Sequence, residues 1–193
     1  GLEQGGLLPG FYQIGLSNAR HYEYARPGHW NDPDYILIGH IGNAHQHDEP
    51  PKLTTLTPNE QYSYMSMWCL MAAPLIFSGD MRYLDDFTLN VLCNAEAIEV
   101  NQDPLGRQAK PLVQTDETLV LAKPLEDGSL AVGLFNLAEV PREIGVDWSL
   151  LGIQGPQQVR DLWRQRDLDV AANRFVTSVP RHGVMFVRLR PQE

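Results

Sequence analysis

Basic residues are scarce in this chain. Fifteen lysines and arginines stand against twenty-four acids, for a formal net charge of −9. Such a balance argues against a nucleic-acid partner and against an anionic membrane surface. Long apolar runs are missing as well, and no stretch approaches the roughly 20 residues that span a bilayer. The opening residues Gly1-Leu2-Glu3-Gln4-Gly5-Gly6 lack a basic segment followed by an apolar one, so they do not read as a signal peptide. Cysteine is nearly absent. Cys69 and Cys93 both sit among apolar residues, which favours two small buried thiols over a disulfide and leaves the compartment open. Aspartate does not occur before Asp32, where Glu3 and Glu23 are the only acids. Internal repeats and low-complexity tracts are absent.

What is present is ordinary globular material. The 193 residues are 43% hydrophobic and 20% charged, enough for one domain or two small ones with a sizeable core. The densest chemistry lies in Arg26-Pro27-Gly28-His29-Trp30-Asn31-Asp32-Pro33-Asp34-Tyr35. Pro27 and Pro33 fix φ and push the residues before them out of the helical region, so this stretch is a rigid turn. The apolar run Tyr35-Ile36-Leu37-Ile38-Gly39 follows and reads as a buried strand, opened by Asp34. A polar turn beside a buried strand displays side chains to a ligand in barrel enzymes; the alternative is an Asx/proline turn whose carboxylates cap backbone N–H groups.

Residues 1–20 read as loop with a short helical turn. Residues 39–57 form a polar insert in which His45, His47 and Asp48 are the candidate metal ligands. A solvated loop is the better reading there, because nothing fixes four ligands tetrahedrally, and no metal is expected. Thr57-Pro58-Asn59-Glu60 is a capping box that starts a helix with a broad apolar face, in which Trp68 and the methionines serve as core and which Pro74 stops. Leu75–Ser78 reads as a strand delivering Asp80 to a strand end, although a loop carboxylate that satisfies backbone donors is the commoner case. Asp85-Asp86 opens a helix over 87–93 with Asn94 as its stop, and 95–100 is a further short segment. After about residue 110 the pattern changes. Two runs flank a turn at Gly128, and Ile144–Trp148, Gln158–Trp163, Arg174–Val179 and Val184–Leu189 follow as short strands. Together they predict an antiparallel β-sandwich.

Three ordered blocks carry a resemblance: Pro27-Gly28-His29-Trp30-Asn31-Asp32-Pro33-Asp34, Ala73-Pro74-Leu75-Ile76, and Val100-Asn101-Gln102-Asp103-Pro104-Leu105-Gly106. They resemble glycoside hydrolase family 27, which holds retaining α-galactosidases and α-N-acetylgalactosaminidases. The likeness is strong over roughly residues 15 to 110 and looser beyond. It implies an α/β plus all-β fold, with 1–107 as the C-terminal part of a (β/α)8 TIM barrel and 108–193 as the antiparallel β-sandwich. Retaining glycosidases need two carboxyl groups about 5 Å apart. The family carries both as aspartates on strands preceding the Trp30–Asp34 block. With no aspartate before Asp32, the nucleophile and acid/base are expected upstream of Gly1, the chain reads as a fragment, and no catalytic residue is assigned within it. By the resemblance Asp34 accepts hydrogen bonds from galactose hydroxyls, and Tyr35 falls where the family often has a sugar-contacting methionine. Trp30 offers an apolar face to the sugar or packs structurally. Asp32 is expected to hold the turn. Arg26, where a glycine is usual, and Tyr35 depart from the family pattern. The implied partner is an α-galactoside or related carbohydrate, with no cofactor, no nucleic acid and no membrane, and a homo-oligomer is left open. Two competing readings are a non-catalytic carbohydrate-binding or scaffold module and a metal-binding domain centred on the histidine loop.

Overall fold

The structure is a computed structural model that describes residues 8–42 and 49–192. It opens with a ten-residue helix, α1 (Gly10–Ala19), where a loop with a short turn was expected. Glycine hid this helix. A Cβ on Gly15 would run into the Met67 thioether, so the glycine is there for close helix packing rather than for a bend. Phe11, Tyr12 and Ala19 form the buried face.

The run after Asp34 buries Ile36 and Ile38 on one side, as a strand would. Its pairing is brief: Ile36 bridges Phe77 in parallel, with Ile36 N–H donating to Ile76 at 2.7 Å and Ser78 N–H donating to Ile36 at 3.0 Å. The two expected strands over 35–39 and 75–78 thus meet at one parallel bridge instead of forming an extended ladder. A short antiparallel pair follows, β1 (His40–Ile41) with β2 (Lys52–Leu53).

Helix α2 (Pro58–Leu70) starts as the sequence predicts. Thr57 Oγ1 accepts from Glu60 N–H at 3.4 Å, and Glu60 Oε2 accepts from Thr57 N–H at 2.7 Å. The helix ends earlier than expected, with Met71 as C-cap and Ala72 at φ +49, before Pro74 is reached. It is buried on nearly every side. Its inward serines are satisfied: Ser63 donates to the His182 carbonyl at 2.9 Å, and Ser66 donates to Tyr62 at 2.7 Å. Asp85 caps α3 (Asp86–Leu92) through Thr88 N–H at 2.7 Å. Asn94, expected to stop that helix, instead opens α4 (Ala95–Asn101) by accepting from Ala97 N–H at 3.0 Å. Both cysteines are free; Cys69 is buried, but Cys93 is exposed, contrary to expectation.

The remaining elements are β3 (Lys110–Gln114), β4 (Thr118–Pro124), β5 (Leu130–Asn136), β6 (Arg142–Asp147), the four-residue α5 (Trp148–Leu151), β7 (Gln157–Asp161), β8 (Arg166–Asp167), β9 (Arg174–Val179) and β10 (Val184–Pro191). Pairing is antiparallel throughout. The strand order is β3-β4-β5-β10-β7-β8 in one sheet, and β6 pairs with β9 in a second. Val120, Val132, Leu134, Val187 and Leu189 of the large sheet pack on Ile144, Val146 and Val179 of the small one. This is the expected sandwich. The opposite face of the large sheet, with Leu119, Leu121, Ala131, Phe135 and Phe186, shares a core with Trp68, Leu70 and Met67 of α2. Each large side chain buried there is worth about 1.5–3 kcal/mol.

Polar ties cross the same boundary. His182, fully buried at φ +49, has Nδ1 2.7 Å from Glu60 Oε1 and Nε2 2.8 Å from Glu139 Oε1. Its carbonyl also accepts from Tyr12 Oη at 2.8 Å. Lys123, likewise buried, donates to the Val100 carbonyl near the end of α4 at 2.7 Å. Among the described residues no helix is long and apolar enough to cross a membrane.

Candidate substrate-binding site

The acid-rich turn is held from four sides. Arg26 and His29 exchange both backbone hydrogen bonds, at 2.9 and 2.8 Å, around Pro27 and a Gly28 at φ +81. Proline then glycine at positive φ is the type II turn pairing, which few other residues could adopt. Asn31 Nδ2 donates to the His21 carbonyl at 2.7 Å and to Gln108 Oε1 at 2.8 Å; Gln108 Nε2 in turn reaches the Asn18 carbonyl at 2.8 Å. Asp32 Oδ1 accepts from Asp34 N–H at 2.9 Å, an Asx turn spanning Pro33.

Asp34 itself has φ +79. That corrects the expectation that it opens a regular strand: it sits in a left-handed turn, two residues ahead of the bridge at Ile36. The left-handed conformation costs an L-residue roughly 1–2 kcal/mol, which Asp lowers by bonding locally. Here Asp34 Oδ1 accepts from Tyr35 N–H at 2.8 Å. The backbone is also gripped by α2. Trp68 Nε1 donates to the Asp34 carbonyl at 2.7 Å, and Tyr64 Oη donates to the Tyr35 carbonyl at 2.8 Å. Burial pushes the Tyr64 phenol up to about 12, so it remains a donor at any physiological pH.

Asp32 and Asp34 line a shallow groove with Gln13, Ser17, Asn18 and His21. The α1 residues were not foreseen as site residues, because their helix was read as loop. Trp30 and Tyr35 are absent from that lining. Trp30 belongs to a second groove with Pro27, Pro74, Leu75 and Pro104, where a Cβ on Gly106 would come within 2.6 Å of the indole. That groove is where all three sequence blocks converge. Tyr35 is half-exposed.

The other candidates settle differently. Asp80 caps a short turn through Arg82 N–H at 2.9 Å and takes a two-pronged grip from the Arg82 guanidinium, which holds its carboxyl down at about 2. It follows the commoner, backbone-satisfying reading. Burial pushes the Cys69 thiol up to about 12, leaving it unreactive. His45, His47 and Asp48 lie outside the described residues; among the described ones no three His, Cys, Asp or Glu side chains gather as metal ligands.

The fold that carries this groove is similar to that of solved glycosidases. A β-L-arabinopyranosidase of glycoside hydrolase family 27 from Geobacillus stearothermophilus, in complex with arabinose, superposes with a TM-score of 0.87. It is 28% identical, over 94% of this chain and 42% of that one. Sequence comparison narrows the class. Residues 16–103 match the family model described as Alpha galactosidase A, and residues 115–189 match the one for the Alpha galactosidase C-terminal beta sandwich domain. An α-galactosidase of Cyamopsis tetragonoloba is 34% identical over 171 residues, covering 88% of this chain and 38% of the relative. Alpha-galactosidase A of Homo sapiens is 36% identical over 139 residues, covering 71% and 29%. The chain belongs to glycoside hydrolase family 27, the α-galactosidase or melibiase family. It spans about two fifths or less of the length of these curated relatives.

Proposed function

We propose that this chain is the C-terminal part of a retaining α-galactosidase-like hydrolase. In this reading residues 1–107 complete a (β/α)8 barrel and 108–193 are its sandwich domain. The observation that carries it is the Asp32–Asp34 turn, a rigid acidic edge of a groove in a chain of this family. Asp34 is the sugar ligand. Its Oδ1 is occupied by Tyr35 N–H, leaving Oδ2 free to accept from hydroxyls. Asp32 holds the turn through Asp34 N–H. Tyr35 and Trp30 flank the sugar from outside the groove, Trp30 at most as an apolar surface. The nucleophile and acid/base come from aspartates preceding Gly1, since none occurs before Asp32. The substrate is a terminal α-galactoside or a close relative. A β-L-arabinopyranoside has the same ring hydroxyl stereochemistry and lacks only the exocyclic carbon, so a hydroxyl ligand such as Asp34 serves either sugar.

The test compares Asp34→Asn and Asp32→Asn in the complete enzyme, with the isolated chain as the inactive control on a nitrophenyl α-galactoside. A hydrogen bond to a charged group is worth about 1.5–3 kcal/mol, so Asp34→Asn should lower kcat/KM roughly ten- to a hundredfold. Asp32→Asn should lower the melting temperature instead. Unchanged kinetics with early melting for Asp34→Asn reverses the assignment, and turnover by the isolated chain overturns the missing-carboxylate reading.

A further inference from the structure

Trp68 has the setting of a core residue: it is fully buried on α2 and stacks edge-on to Tyr64 with ring centroids 4.5 Å apart. Its indole N–H, however, leaves the core and ends on the Asp34 carbonyl, 2.7 Å away. The peptide unit that bears this carbonyl also bears the Tyr35 N–H, and that N–H donates to Asp34 Oδ1 at 2.8 Å. One rigid plane therefore has the indole on one edge and the aspartate carboxylate on the other. A buried donor with a single short partner cannot be turned away without being left unsatisfied, so the plane cannot rotate cheaply. Asp34 is held at φ +79 by surroundings that over-determine it, the condition under which strained residues persist.

One turn earlier on the same helix face, Tyr64 fixes the next carbonyl, that of Tyr35, at 2.8 Å. Tyr64 is itself wedged against Phe11 of α1, with stacked rings 4.5 Å apart. Helix α1 supplies Gln13, Ser17 and Asn18 to the groove that Asp34 lines. Helix α1 and the backbone at Tyr35 are thereby both referenced to Tyr64.

We propose that Trp68 is a positioning residue for substrate binding: through the 34–35 peptide it fixes the direction of the Asp34 carboxylate, with Tyr64 holding the adjoining plane. This rests on the reading of Asp34 as the sugar ligand. Removing the indole N–H leaves every atom that would touch sugar in place but frees the carboxylate to swing, which weakens an interaction that depends on fixed geometry.

The experiment is a double-mutant cycle in the complete enzyme, using Trp68→Phe, Asp34→Asn and the pair, with kcat, KM and the inhibition constant for free galactose measured for each. Trp68→Phe should raise KM and the galactose constant about three- to tenfold, and this effect should disappear in the Asp34→Asn background. A merely structural tryptophan would lower the melting temperature and give the same kinetic factor in both backgrounds, which overturns the proposal. If Asp34→Asn alone leaves kinetics unchanged, the sugar-ligand reading fails first. If Asp34→Asn is impaired while Trp68→Phe is not, that reading stands and the positioning role fails. Should Trp68→Phe not fold, Tyr64→Phe takes its place in the cycle. It is expected to raise the galactose constant about two- to threefold, again only when Asp34 is present, and an equal effect in both backgrounds overturns the proposal.

Discussion

The two halves of the molecule solve the same problem unequally. The sandwich half pairs its strands across two sheets, and both faces of its large sheet are buried. Its large exposed apolar side chains are few and scattered, such as Val140, Leu150 and Val170. The half before residue 107 contains α2, α3 and α4 with their side-chain caps in place, but its two expected strands meet at a single parallel bridge. It leaves Ile14, Trp30, Tyr35, Ile76, Met81 and Tyr83 substantially exposed. The sandwich strands all find antiparallel partners within residues 110–191, whereas parallel strands depend on crossovers and on partners on both sides. The unequal closure teaches that the first half borrows its order from the second, through the core shared by α2 and the large sheet.

The sharpest way to break that comparison is Phe135→Ala. Phe135 is fully buried on the shared face, and truncation should cost about 3–5 kcal/mol. Native-state hydrogen exchange should then show protection falling together in α2 and β5; loss confined to β5 would mean the first half stands alone. A second, smaller effect concerns the buried lysine that ties β4 to α4. Burial lowers Lys123 to about 8, below its unfolded value of 10.5. Between those pH values the unfolded chain holds the proton that the folded chain has released, so this contribution to stability rises with pH and is absent below about pH 8. Relative to Lys123→Met, the wild type should gain on the order of 2 kcal/mol from pH 7.5 to 10 in denaturant titrations. Differencing against the variant removes the opposing loss from Tyr64, whose raised value acts above pH 10, and leaves of the Cys69 loss only its coupling to Lys123. A flat difference would show that the tie carries no linkage. The smallest effect is local to the first half: Thr57→Ala removes the α2 cap and should cost about 1 kcal/mol by thermal melting. A larger loss would show that α2 depends on its own cap more than on the sheet.

These energetics also explain what could be read in advance. The Thr57/Glu60 box, the hairpin at Gly128 and the later strands were legible because their signals are local: a side chain three residues away, or a turn residue between apolar runs. Helix α1 was not, because Gly15 answers to Met67 some fifty positions on. Asn94 caps either end of a helix on local grounds, and only the formation of α4 decides which. At the site, Asp32 as the turn's anchor followed from the proline after it. The positive φ of Asp34 did not, since it depends on donors from Tyr64 and Trp68, about thirty residues away, which pattern alone assigns to the core. The groove wall from Gln13, Asn18 and His21 went unseen with its helix.

The position of β10 has a consequence for how the chain is made. This strand, Val184–Pro191, lies in the middle of the large sheet, between β5 and β7. During synthesis the hairpins β3-β4-β5 and β7-β8 can each form as they emerge, but nothing joins them until residue 184 and its successors have been translated. Until then the nascent sheet carries two open edges, at β5 and β7, of the kind that template misassembly. The buried His182, two residues ahead of β10, is delivered at the same late moment to Glu60 and Glu139. Closure of the sheet and locking of α2 against it are thus one event, timed by the synthesis of β10.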